Sequence, residues 1–283
     1  MTDSIADAVR KGYGNVAQQG LGSHDDGVRS IANAFGYSDE ELGSIPAESN
    51  MGLSCGNPVA IASIREGEVV VDLGSGGGLD VFLAARQVGP TGRAIGIDMT
   101  GDMISLARAN ARKGNYDNVS FHLAEIEAMP IPSRSVDCVI SNCVLNLCED
   151  KDAALAEVFR ILKPGGRLAI SDIALRKELP AHVAQEMSAW TGCIGGALTI
   201  EDNREKLLRA GFTDVAIQDA QADLNAYRAG GAAACCGPST SCCGPSDEPQ
   251  EANFHDQMSA LLDTIDANEY AASVKIFALK PDA

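Results

Sequence analysis

The chain has 283 residues, 45% hydrophobic and 22% charged, so it can bury a sizeable core and is not globally disordered. Its formal net charge of −17 repels nucleic-acid phosphates and anionic membranes, which argues against both as partners. The opening MTDSIADAVRKGYG lacks the apolar core of a signal peptide, and no apolar run is long enough to span a bilayer. The expected compartment is therefore the cytoplasm, where thiols stay reduced.

In chain order, DSIADAVRKGY and DGVRSIANAFG have helical spacing. MGLSCGNPVAIASI reads as a turn followed by a short apolar helix. EVVVDLGSGGG reads as a buried strand entering a glycine-rich turn, and LDVFLAARQVG as the helix after it. RAIGIDM is a second strand ending in an acid, GDMISLARANARKG a helix, and NVSFHLAEIEAMP a third strand with its exit loop. SVDCVISNCVLNL is a fourth strand running into a loop. DAALAEVFRILKPGG is an amphipathic helix stopped by Lys-Pro-Gly-Gly, and RLAISDIAL a fifth strand. This alternation, from residue 68 to 175, predicts a mostly parallel α/β sheet with helices on both faces. Beyond it, LPAHVAQEMSAWTG, TIEDNREKLLRAG and FHDQMSALLDTI read as helices. FTDVAIQDA and SVKIFALKP read as strands forming an antiparallel edge of the same sheet. Three regions follow: a helical segment 1–64, a core 65–175, and an α+β extension 176–283 containing a Gly/Ala/Cys/Pro loop at 229–250.

VVVDLGSGGGLD places Gly74, Gly76, Gly77 and Gly78 between a strand and a helix, where glycine lets the backbone approach a ligand closely. The dinucleotide fingerprint needs a further glycine where this chain has Leu79, which disfavours a nicotinamide or flavin dinucleotide. Asp72 precedes the turn. Its carboxylate would repel a pyrophosphate and suits a cationic ligand. Asp98 ends the second strand, where an acid can take both ribose hydroxyls. A nucleoside with a positive centre and no phosphate meets all three conditions, and S-adenosylmethionine is the common one. The bland alternative, a glycine-rich turn without a ligand, does not account for DLGSGGG, GID, AEIEAMP, VDCVIS and LKPGG occurring in that order.

That ordered set resembles the class I S-adenosylmethionine-dependent methyltransferases over residues 65–175. The resemblance implies a Rossmann-like sheet with the cofactor across the carboxyl ends of its strands. Asp72 and the backbone of Gly74, Ser75 and Gly76 would hold the methionine part, and Asp98 the ribose. Met99 would pack on the adenine, Ile126 and Glu127 would flank its edge, and the loop from Asn142 would line the methyl group.

Acceptor choice is a property of the site rather than of the fold. The four histidines, His24, His122, His182 and His255, form no cluster that could supply a general base. Cysteines stand at the edges of the expected cofactor site: Cys55 in GLSCGNP, Cys143 in SNCVLNL and Cys193 in TGCIGGAL. Three thiolates around one point suit a thiophilic atom. Zinc normally takes four ligands, and no CxxC pair supplies them; a trivalent pyramidal element takes three and keeps a lone pair. Cys138 lies inside an apolar strand and reads as structural, and Cys148 reads either way. An odd total of nine cysteines argues against a disulfide framework.

GLSCGNP, SNCVLNL and CIGGAL, with VRKGYGNVA near the start, resemble the arsenite methyltransferases over nearly the whole chain. The resemblance implies that Cys55, Cys143 and Cys193 bind trivalent arsenic and that arsenite and methylated arsenicals are its substrates and products. It also implies a cellular thiol, glutathione or thioredoxin, as reductant. The family often has a further cysteine upstream of Cys55, assigned to a disulfide relay; residues 1–54 contain none. CCGPSTSCC adds Cys235, Cys236, Cys242 and Cys243, which read as a capture device for arsenic or as an inert insertion. Two other functions stay open: a methyltransferase for a small organic molecule with structural cysteines, and a non-catalytic metalloid-binding protein.

Overall fold

A computed structural model describes residues 5–179, 194–230 and 265–282, together with Ser259, Leu262 and Asp263. The segment 180–193, with Cys193, and the four cysteines of CCGPSTSCC lie outside the described residues, as does most of the expected helix FHDQMSALLDTI.

Seven strands form one sheet: β1 (Val69–Leu73), β2 (Arg93–Asp98), β3 (Val119–Leu123), β4 (Val136–Asn142), β5 (Leu162–Leu175), β6 (Thr213–Asp219) and β7 (Ala271–Leu279), in the order β3-β2-β1-β4-β5-β7-β6. The first five are parallel; β7 runs antiparallel to both β5 and β6. The expected antiparallel pairing is thus carried by β7, while β6 forms the outer edge.

The central strands are buried on both faces, which is why VVVDL and VDCVIS read as continuous apolar runs. Val70, Cys138, Ile140 and Ala169 face one apolar layer. It includes residues of α2 (Asp26–Ala34), α3 (Asp39–Gly43), α4 (Pro58–Ile61), α5 (Leu79–Val88) and α6 (Gly101–Gly114). Val71, Val139, Leu168 and Ile170 face the other, built on α7 (Lys151–Ile161) and α8 (Ile200–Arg209). Ser38 starts α3 with a capping box: its Oγ accepts from Glu41 N, and the Glu41 carboxylate accepts from Ser38 N at 2.8 Å.

The chain proceeds from β1 outward through β2 and β3, then returns to place β4 on the other side of β1. The crevice at that reversal, beyond the carboxyl ends of β1 and β4, is where open α/β sheets bind ligands. The N-terminal helix α1 (Ile5–Gln18) lies over it, with Val16 packed against Met51 and Met103.

Candidate active site

A cavity of about 470 Å³ opens at that crevice, within the common range of about 300–1,000 Å³ for small-molecule sites. Its lining includes Asp72, Gly74, Ser75 and Gly76 from the β1 turn, and Asp98 and Met99 from the end of β2. Ile126 and Glu127 after β3, and Asn142 and Cys143 at the end of β4, complete the set named from the sequence, apart from Cys55 and Cys193. Ser54, Asp80, Cys148 and residues of α1 also line it.

The β1 turn is shaped for close approach. Gly74 has φ +64°, and a Cβ there would lie 2.3 Å from a methyl of Val144. Ser75 Oγ is buried without a hydrogen-bond partner among the described residues. Asp98 is held from both sides, its carboxylate accepting from Gly76 N at 2.9 Å and from Thr100 N at 2.8 Å.

Three buried carboxylates share this end of the sheet. Burial raises the pKa of Asp98, and raises that of Asp72 well above the usual carboxylate range, with Asp80 and Asp98 adding repulsion. Burial also raises Asp80 to about 7, against the hydrogen bonds that it accepts from Tyr37 and Asn142. Asp72 has no side-chain hydrogen bond among the described residues and stands in the cavity wall. Acids confined in this way favour a cationic ligand, which relieves their repulsion and restores their ionised form. Together with the glycine cradle and the orphaned Ser75 hydroxyl, they fit a sulfonium nucleoside.

Cys55 and Cys143, 88 positions apart, meet at this site as a disulfide with Cα atoms 5.9 Å apart. The bridge departs from the expectation of reduced thiols at these two positions, because the fold brings the two sulfurs within bonding distance; the other cysteines among the described residues, Cys138 and Cys148, are free. Cys143 sits just beyond β4 with φ +57°, a conformation uncommon for a residue with a Cβ, and its N–H donates to Ser171 O at 2.8 Å. The loop carrying Cys55 is tied down on every side. Cys55 N donates to Asn142 Oδ1, Ser273 Oγ donates to Cys55 O at 2.6 Å, and the Tyr227 hydroxyl lies 3.4 Å from the Cys55 sulfur.

Cys138 is buried within β4, and burial raises its thiol to about 12. Cys148, also raised to about 12 by burial, is half-buried at the cavity edge. No group of three or more metal-ligating side chains occurs among the described residues. Sequence reasoning missed Tyr37, Asp80 and Tyr227. Asp80 alone carried a signal, as an acid in the first turn of the helix that follows the glycines.

The strand order, the glycine cradle and the acid closing β2 define a class I methyltransferase fold. Residues 64–221 match the family described as Methyltransferase domain; the chain belongs to that family, and S-adenosylmethionine is its cofactor. Among curated proteins it is 45% identical over 193 residues to an arsenite methyltransferase of Halobacterium salinarum, covering 68% of this chain and 49% of that one. It is 34% identical to the arsenite methyltransferase of Mus musculus, covering 71% of this chain and 56% of that one. The chain thus spans about half the length of these curated relatives. Among solved structures it resembles an arsenic (III) S-adenosylmethionine methyltransferase from Chlamydomonas reinhardtii, with TM-score 0.58 and 27% identity over 89% of this chain and 76% of that one. A ubiquinone/menaquinone biosynthesis C-methyltransferase of Pasteurella multocida is 39% identical over 40% of this chain and 42% of that protein.

Proposed function

We propose that the chain transfers methyl groups to trivalent arsenic held by cysteine thiolates, a reaction that detoxifies arsenite in the cytoplasm. The observation that carries this reading is the meeting of Cys55 with Cys143, which lines the cavity. Reduced, this pair offers two soft ligands to a thiophilic atom, with Cys193 as the third.

Asp72 and the Gly74–Gly76 backbone would hold the methionine part of the cofactor, Asp98 the ribose, and Met99, Ile126 and Glu127 the adenine, while Asn142 lines the methyl end. S-adenosylmethionine supplies an electrophilic methyl group on a sulfonium centre. Arsenic would give its lone pair to the methyl carbon, and the electron pair of the carbon–sulfur bond would stay with the thioether. No proton is removed from the acceptor, so the site needs no general base. Arsenic would become pentavalent in the step, and two thiols, from two glutathiones or one thioredoxin dithiol, would return two electrons as they form a disulfide. The same class of reductant must open the Cys55–Cys143 bridge before arsenite can bind.

The test is speciation of arsenic after incubating the reduced chain with arsenite, S-adenosylmethionine and glutathione. Methylated arsenicals are expected, and Cys55→Ser and Cys143→Ser should each lower the rate at least tenfold, since a protonated hydroxyl is a poor ligand for a soft centre. Full activity in Cys143→Ser would overturn the site. A second reading, methylation of a small organic molecule, is favoured by the partial likeness to the quinone C-methyltransferase. It predicts unchanged arsenite and an active Cys143→Ser.

A further inference from the structure

Two buried polar side chains, Tyr37 after α2 and Asp80 in the first turn of α5, meet the half-buried Asn142 at the end of β4 behind the Cys55 loop. The Tyr37 hydroxyl donates to the Asp80 carboxylate at 2.8 Å and accepts from Asn142 Nδ2 at 2.8 Å. Asn142 Nδ2 also donates to Gly56 O at 2.7 Å and lies 3.3 Å from Asp80 Oδ2, while Asn142 Oδ1 accepts from Cys55 N at 3.0 Å.

The arrangement fixes which way the amide faces. An amide nitrogen only donates and its oxygen only accepts. Turned over, Asn142 would set its oxygen against the Asp80 carboxylate and the Gly56 carbonyl, and its N–H groups against the N–H of Cys55. Asp80 and Tyr37 therefore hold Asn142 in the one orientation that grips both faces of the 55–56 backbone. Asn142 adjoins Cys143, so the grip reaches from one cysteine to the peptide of the other. The stretch GLSCG ahead of α4 and its Asn57 cap has no ladder or helix of its own to set this register; side-chain bonds do it. Burying an acid, a phenol and an amide together has a cost that apolar side chains would avoid, so the network implies a positional role.

We propose that Tyr37 and Asp80 are positioning residues which, acting through Asn142, hold the Cys55 sulfur within bonding reach of Cys143. The proposal rests on the reading that this pair binds arsenic, but its geometry can be measured without arsenic. In a glutathione buffer, one oxidised glutathione closes the bridge and two reduced glutathiones leave. The equilibrium constant for that exchange reports the effective concentration of one thiol at the other.

The experiment measures this constant for the full chain by alkylation and peptide mapping of Cys55 and Cys143. Tyr37→Phe should lower it at least threefold and Asn142→Ala at least tenfold. Ser38→Ala, which removes only the cap of α3, should leave it unchanged; a general loosening of the fold would move all three. Should Asn142→Ala fail to fold, Tyr37→Phe decides alone. Values within twofold of wild type for Tyr37→Phe and every folded Asn142 variant overturn the positioning role. In parallel, arsenite should protect both cysteines of the reduced wild type from alkylation. Absent protection, with the variant shifts intact, refutes the arsenic reading and leaves the positioning role standing.

Discussion

At the scale of single residues, the cofactor end of the site is set before any ligand arrives. Two backbone N–H groups aim the Asp98 carboxylate, leaving it buried with its remaining lone pairs available. On the proposed role of Asp98 as acceptor for the ribose hydroxyls, Asp98→Ala should weaken S-adenosylmethionine binding by about 1–3 kcal/mol. Gly74→Ala should weaken it as well, since a Cβ there collides with Val144 beside Cys143 and φ +64° strains any other residue. Calorimetric titration checks both; unchanged affinity in Asp98→Ala would take that residue out of the site. That these two positions line the cavity was legible because their constraints are local: glycines follow a strand, and an acid closes the next one. Tyr37 was not legible, because its hydroxyl matters only once α5 and β4 bring Asp80 and Asn142 to it.

Elements position what residues cannot. Helix α1 covers the cavity through Arg10, which pairs with Glu125, and Val16, buried against Met51 and Met103. The exposed ion pair contributes at most about 1 kcal/mol, so the apolar contact holds the helix in place. Val16→Asp should lift α1 and raise the dissociation constant for S-adenosylmethionine about tenfold or more, with a smaller effect on the sheet. Stopped-flow release of the cofactor would show it, and a wild-type release rate would mean that α1 is not the cover. Periodicity revealed α1, α2 and the alternating core because each has a repeating apolar face. The short α3 went unread although Ser38 and Glu41 spell a capping box, because five residues carry too little period. The helix does stop ahead of Lys-Pro-Gly-Gly, but the expected fifth strand RLAISDIAL starts earlier, at Leu162, which pairs with Val136 ahead of a register shift.

Across the whole molecule, buried acids make stability depend on pH. Asp172, raised to about 7 by burial, accepts from Asn146 Nδ2 and Ile173 N, both at 2.8 Å on the same oxygen. With its folded pKa above the unfolded value of about 3.9, the folded protein keeps this proton where the unfolded chain has lost it. Its contribution is therefore full below about pH 4 and lost as pH rises toward about 7. Asp172→Asn can keep both hydrogen bonds without the charge. It should stabilise the fold at pH 8 by about 1–4 kcal/mol and flatten the difference from wild type below pH 4. Urea midpoints across that range test it, and a difference independent of pH would show that ionisation of Asp172 has no cost. Glu68 and Glu157, lowered beside Arg167 and Arg160, pull the other way in acid, so the comparison must be variant against wild type.

The insertion of β7 between β5 and β6 also orders events in time. A ribosome delivers β1 to β5 first, then β6, whose sheet neighbour among the described residues does not yet exist. Until residues 271–279 emerge, β5 presents a row of unpaired N–H and C=O groups along its outer side, the kind of edge that recruits foreign strands. Ser273, which fastens the Cys55 carbonyl, arrives on the same strand. The nascent chain thus carries its glycine cradle well before it can close the sheet, and its cysteine loop gains a final anchor only in the step that seals the exposed edge.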